Sequence, residues 1–112
     1  ERALGRTPHE MPRNNPVSDI QSFCPEGRIH YIEVKGRIEG SDTFTITTNE
    51  VTFAQTQGDR HRLALVLVSP DGEKRDRLRY VLDAFTHIEP SATTRSYNEE
   101  WRDYWDRGGP PR

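Results

Sequence analysis

The chain has 112 residues, a length suited to one folding domain, and its 16 basic and 18 acidic side chains leave a net charge of −2. That balance argues against a stand-alone, non-specific DNA binder, which needs a strong positive field, and leaves nucleic-acid affinity to a local basic rim, another domain or another subunit. An apolar fraction of 31% predicts a small core, no apolar run is long enough to cross a membrane, and the single cysteine, Cys24, excludes an internal disulfide framework and suits a reducing, cytoplasmic compartment.

Residues 1–16 are expected to be extended or a partial first helix: Glu1-Arg2-Ala3-Leu4-Gly5 has the form of a helix end with a glycine cap, and a linker or poorly formed strand follows. The core is placed at residues 17–90. It opens on turn chemistry at Asn14-Asn15-Pro16 and continues to Cys24-Pro25-Glu26-Gly27-Arg28. Proline presets the first position of that turn and glycine tolerates the left-handed third, the pattern of a three-residue hairpin loop. Counting outward, Phe23 faces Ile29, Ile20 faces Ile32 and Asp19 faces Glu33. The strand from Arg28 to Lys35 alternates, with Ile32 and Val34 turned to the core and Tyr31, Glu33 and Lys35 turned away from it.

Gly36 to Ser41 reads as a loop, and Thr43 to Thr47 as a third meander strand with Phe44 and Ile46 inward. Thr47 and Glu50 have capping-box spacing for a helix that stops at Gly58. Leu63 to Val68 is continuously apolar, which predicts a strand buried on both faces and, after a helix, a parallel neighbour. Ser69-Pro70-Asp71-Gly72-Glu73 predicts a turn and Arg77 to Leu82 its return strand. Residues 91–112 are expected to hold a final helix, Ser96 to Arg107, with Tyr97, Trp101, Tyr104 and Trp105 on one stripe, and then a disordered tail from Gly108.

Asp19 and Glu33, directly opposed across two strands, repel each other and need a compensating charge. Lys35 or solvent supplies it in a surface ion-pair cluster; alternatively the two carboxylates hold a divalent metal such as Mg²⁺, with Lys35 beside the attacking water. Arg60 and Arg62, and the denser patch of Lys74 and Arg75 with Arg77 and Arg79, are either DNA-backbone contacts or solvated strand-end and edge charges. The four histidines lack zinc-ligand spacing, and no phosphate-binding glycine loop is present.

Asp19 followed by Glu33-Val34-Lys35 resembles the metal-binding motif of the PD-(D/E)XK nuclease superfamily. The runs Asn15-Pro16-Val17-Ser18-Asp19-Ile20, Tyr31-Ile32-Glu33-Val34-Lys35-Gly36, Thr48-Asn49-Glu50 and Gly58-Asp59-Arg60-His61-Arg62-Leu63 narrow it: they are similar to the domain at the C-terminus of the plant protein NO VEIN, which recurs in helicase-linked and restriction-like bacterial proteins. Val17 and Ser18 depart from that pattern, which has glycine and an aromatic before the aspartate.

The resemblance implies an α/β restriction-endonuclease-like core: a central mixed sheet with an antiparallel meander, a crossover helix and a C-terminal helix. It implies a nuclease acting on DNA in restriction, defence or DNA processing, with Mg²⁺ or Mn²⁺ held by Asp19 and Glu33 and with Lys35 completing the catalytic set. Glu1, Gln55 and Gln57 are candidates to support the site, since in related nucleases a glutamate near the end of the first helix sometimes joins it and the helix after the motif strand often adds a polar residue; the alternatives are a helix-end surface charge and solvated glutamines. Duplex cutting needs two sites, so a homodimer or a larger parent protein is expected. The alternative is a non-cutting module of the same fold that binds nucleic acid or joins subunits.

Overall fold

The computed structural model describes residues 1–11, 19–38, 42–68 and 77–112. Gly27, at φ 90°, closes the turn that sets the register of the main sheet. Its N–H donates to the Cys24 carbonyl at 2.9 Å, and the Cys24 N–H donates to the Arg28 carbonyl at 2.8 Å. On either side of this loop run β2 (Ile20–Phe23) and β3 (Ile29–Ile38), paired antiparallel with Phe23 opposite Ile29 and Ile20 opposite Ile32. The register read from the turn is the observed one.

β1 (Thr7–Glu10) adds antiparallel to β2 as an edge strand, preceded by a 3₁₀ turn at Arg2–Leu4 in place of the expected helix end. On the other side β3 pairs in parallel with β5 (His61–Val68), and β5 pairs antiparallel with β6 (Arg77–Leu82). The strand order is therefore β1-β2-β3-β5-β6, a mixed α/β sheet. β3 does not end at Gly36: the parallel ladder carries it to Ile38, because β5 offers partners as far as Val68.

The parallel pair needs a crossover, which β4 (Thr43–Thr47) and α1 (Thr48–Gln57) supply. β4 does not extend the meander. It forms a separate two-stranded sheet with β7 (Ser96–Glu100), so the expected final helix begins only at α2 (Trp101–Arg107). Tyr97 lies on a strand, opposite Ile46, and Tyr97, Glu99 and Trp101 alternate rather than follow a helical stripe. The turn expected at 69–73 lies outside the described residues. The C-terminal segment is also ordered: Gly109 exchanges backbone hydrogen bonds of 2.9 and 3.0 Å with Tyr80. A Cβ on Gly108 would stand 3.1 Å from the Arg79 Cβ, so a side chain there would require its neighbours on β6 to shift by a few tenths of an ångström.

Both faces of the sheet are covered. Leu63, Leu65 and Val81 face the larger core with Phe44, Ile46, Val51, Ala54, Phe85, Trp101 and Tyr104. Ile32, Ala64 and Tyr80 form a smaller cluster on the opposite face, with Ile20 and Val34 against it. Ile32 and Val34 thus point into the lesser core. Glu33 and Lys35, in register with Leu63 and Leu65, share the face of the greater one. The expected polar side of β3 is therefore built into the main layer of packing. Among the described residues, no helix is long and apolar enough to cross a membrane.

Thr47 caps α1 reciprocally. Its Oγ1 accepts the Glu50 N–H at 3.1 Å, and its own N–H donates to Glu50 Oε1 at 2.8 Å. Thr47→Ala is expected to cost about 1 kcal/mol, read as a lower urea midpoint at unchanged slope.

Candidate active site

The candidate site forms where β3 passes beneath the first turn of α1. Strand alternation puts Glu33 and Lys35 on one face, and the capping box holds Glu50 over them. Lys35 Nζ lies 3.4 Å from Glu33 Oε1 and 3.5 Å from Glu50 Oε1. Glu33 is only 4% exposed. Asp19 stands just before β2, beyond the last paired residue, where its N–H donates to the Ile32 carbonyl at 3.1 Å. Its Oδ2 accepts the Val34 N–H at 2.8 Å, which fixes the carboxylate against β3.

The charges do not balance: two carboxyl groups flank one ammonium, and the charge of Asp19 also acts on Glu33. Burial pushes Glu33 up to about 9, and its hydrogen bond to Glu50 and the charges of Glu50 and Asp19 add to the rise, while Lys35 opposes it. Glu50 moves the other way. Burial would raise it, but the hydrogen bond from Glu33, the Thr47 backbone N–H and Lys35 together hold it below the ordinary carboxylate range. Glu33 is therefore the protonated partner and donates to the Glu50 carboxylate.

A divalent cation suits this donor set in chemistry. The available atoms are hard carboxylate oxygens, and a second cation would remove the need for the proton on Glu33. Among the described residues no three His, Cys, Asp or Glu side chains are arranged to hold a metal. Carboxylate oxygens of this kind are what Mg²⁺ takes alongside water and phosphate.

The other residues singled out in the sequence lie elsewhere. Glu1 is on the opposite face, bound by Arg6 at 2.6 Å through both oxygens and by the Tyr80 hydroxyl at 2.8 Å. Burial alone would raise its pKa, yet these donors hold it near 2. Gln55 donates to the Phe85 and Ile88 carbonyls at 2.8 and 2.6 Å, so its amide ties α1 to the 83–88 segment. Gln57 ends α1, about 10 Å along the axis from Glu50 at 1.5 Å per residue.

Arg60 is exposed at the mouth of β5. Arg62 is buried, donating to the Asp59 carbonyl and, at 2.8 Å, to the Arg112 carbonyl; its donors are committed inward rather than to a phosphate. His61 is 3% exposed, with Phe53 and Phe85 near its ring, and burial lowers its pKa to about 4. Lys74 and Arg75 lie outside the described residues. Glu50 reads in the sequence as a helix cap and as part of the Thr48-Asn49-Glu50 run, and nothing local says that its carboxylate also reaches Lys35.

The sequence profile of a family described as "Protein NO VEIN, C-terminal" matches residues 1–81. No curated protein sequence matches the chain. Among solved structures, it is similar to Hjc of Archaeoglobus fulgidus, described as a Holliday junction resolvase from an archaeal hyperthermophile. The TM-score is 0.50 at 17% identity, over 97% of this chain and 94% of that one. At that identity the likeness is one of fold, and the fold is that of a restriction-endonuclease-like nuclease core.

Proposed function

This chain belongs to the family of the NO VEIN C-terminal domain, and from that premise we propose that it is a metal-dependent nuclease domain hydrolysing DNA phosphodiester bonds. One observation carries the reading. An ammonium, Lys35 Nζ, stands 3.4 Å from a buried carboxyl, Glu33, and between these two residues the Val34 N–H holds the Asp19 carboxylate at 2.8 Å. Asp19 and Glu33 are the residues to hold Mg²⁺ or Mn²⁺, which when bound would supply Lewis-acid stabilisation of charge on the scissile phosphate.

The chain's own groups do the rest. The Val34 N–H orients the Asp19 carboxylate through Oδ2. Glu33 gives up its proton when the site fills. Lys35 then turns from its two glutamates to the attacking water, which it orients, and to the phosphate, whose developing charge it balances. The net charge of −2 fits a domain that works as a pair or within a larger protein that adds DNA affinity.

The test is Mn²⁺-dependent nicking of supercoiled plasmid by the purified chain. A four-way junction is included because the structural neighbour is described as a junction resolvase. Lys35→Ala is expected to slow cutting by about 100-fold with the circular dichroism spectrum unchanged. Equal cutting by the variant, or none by the wild type on plasmid, linear or branched DNA, removes the proposal. A second reading, a non-cutting binding module of the same fold, draws support from the net charge of −2 and from the short 3₁₀ turn that stands in place of a first helix.

A further inference from the structure

Two residues beyond Lys35, on the same face of β3, the strand presents a second cation. Arg37 has its guanidinium 5.9 Å from the Trp101 ring centroid, which places the side chain over the larger core beside the site. Its side chain is one-fifth exposed, and its Nε is buried without a hydrogen-bond partner. Its ion-pair partner is Asp42, at 3.4 Å from Nη2, and Asp42 is 83% exposed. A pair this long and this open is weak, because solvent screens it. Arginine has five donors in a planar fork suited to phosphate, and here the fork is only loosely engaged.

The spacing matters. Residues two apart on a strand are about 6.6 Å apart, on the scale of neighbouring phosphates in one nucleic-acid strand. If Lys35 meets the scissile phosphate, Arg37 lies where the adjacent phosphate would pass.

We propose that Arg37 is a phosphate-binding residue of this site, held ready by Trp101 and Asp42, and that it grips the DNA backbone one phosphate away from the point of cleavage. The proposal rests on the nuclease reading for the path of the strand, but its test reads binding alone. Asp42 acts as a placeholder anion that the DNA phosphate displaces, and Trp101 keeps the guanidinium from swinging into solvent.

The experiment measures binding of a fluorescein-labelled duplex in Ca²⁺, without cutting, across a salt series. Arg37→Ala is expected to weaken binding about tenfold at low salt and to lower the salt slope by about one counterion. Arg37→Lys should restore the slope but only part of the affinity. Asp42→Asn, which removes the competing anion, should tighten binding about threefold. Unchanged affinity and slope in Arg37→Ala, with thermal unfolding near wild type, overturns the proposal, as does a wild-type chain that binds no duplex. Wild-type binding without cutting, with Arg37 still setting the slope, would sink the nuclease reading and leave this one standing.

Discussion

Glu33→Gln is expected to raise the stability of the metal-free chain by on the order of 3 kcal/mol at about pH 8, while abolishing Mn²⁺ binding and slowing DNA cutting by about 1,000-fold or more. The opposite signs follow from one fact. The folded chain holds a proton on Glu33 up to about pH 9, whereas a free glutamate releases it near 4.5. Between those values the native state binds more protons than the unfolded state, so stability falls as pH rises. This contribution is full below the unfolded value and lost as pH climbs to the folded one.

Glutamine copies the protonated acid: it is neutral and still donates to Glu50. The variant should match wild type at about pH 5 and draw ahead steadily above it. Glu50 works with the reverse sign. Its pKa is held below the ordinary range, so its contribution is present above that range and lost as acid protonates it. Urea midpoints at four pH values between 5 and 9, with Mn²⁺ calorimetry on both proteins, check the prediction. A wild type that grows more stable toward pH 9, or a glutamine variant weaker than wild type at pH 8, contradicts it.

What the sequence disclosed and what it hid divide along local and non-local physics. The Pro25-Glu26-Gly27 loop carries its register in its own dihedral preferences, so the pairing of Ile20 with Ile32 could be counted out residue by residue. Thr47 and Glu50 announce the start of α1 for the same reason, and the apolar run at Leu63 announces a strand with two covered faces. The pairing of β4 with β7 has no such signature, since about fifty residues separate the partners and Thr45 meets Asn98 only in the fold.

Ser96 to Glu100 contains no β-branched residue, and Tyr97 is four residues from Trp101, so a helical stripe and a strand alternation fit equally well there. The polarity of β3 also misleads. Its alternation is real, but Glu33 lies on the side where α1, β4 and α2 build the larger core. A charged residue on the more heavily packed face is an exception to pattern reasoning, and such exceptions gather at functional sites. Arg37 escaped notice because it fell in a presumed loop; only the long parallel ladder with β5 puts it in line with Lys35.

Trp101→Ala is the substitution expected to cost most. The side chain is 1% exposed and stands at the switch from β7 to α2. It meets Phe44 edge-on with centroids 6.3 Å apart and stacks on Trp105 at 6.0 Å, while its backbone N–H donates to the Asp42 carbonyl at 2.9 Å. It therefore joins the two-stranded sheet, the last helix and the segment that returns from β3. Emptying that volume is expected to cost about 3–5 kcal/mol, a large share of the roughly 5–15 kcal/mol typical of a whole domain. The midpoint of thermal unfolding should fall by about 15 °C or more.

Trp105 makes a sharp control. It is half-buried, and Arg79 covers its outer face at 4.5 Å. Trp105→Ala should cost no more than about 2 kcal/mol, because water and Arg79 can close on the gap. Circular-dichroism melts of the two variants side by side decide the matter. Similar losses would mean that α2 is held by its own stacked pair rather than by the core beneath it. In the folded fraction of Trp101→Ala at low temperature, Mn²⁺ binding should persist, since Asp19, Glu33 and Lys35 do not depend on the indole. Duplex binding should weaken, since Arg37 loses the ring that holds its guanidinium beside the site.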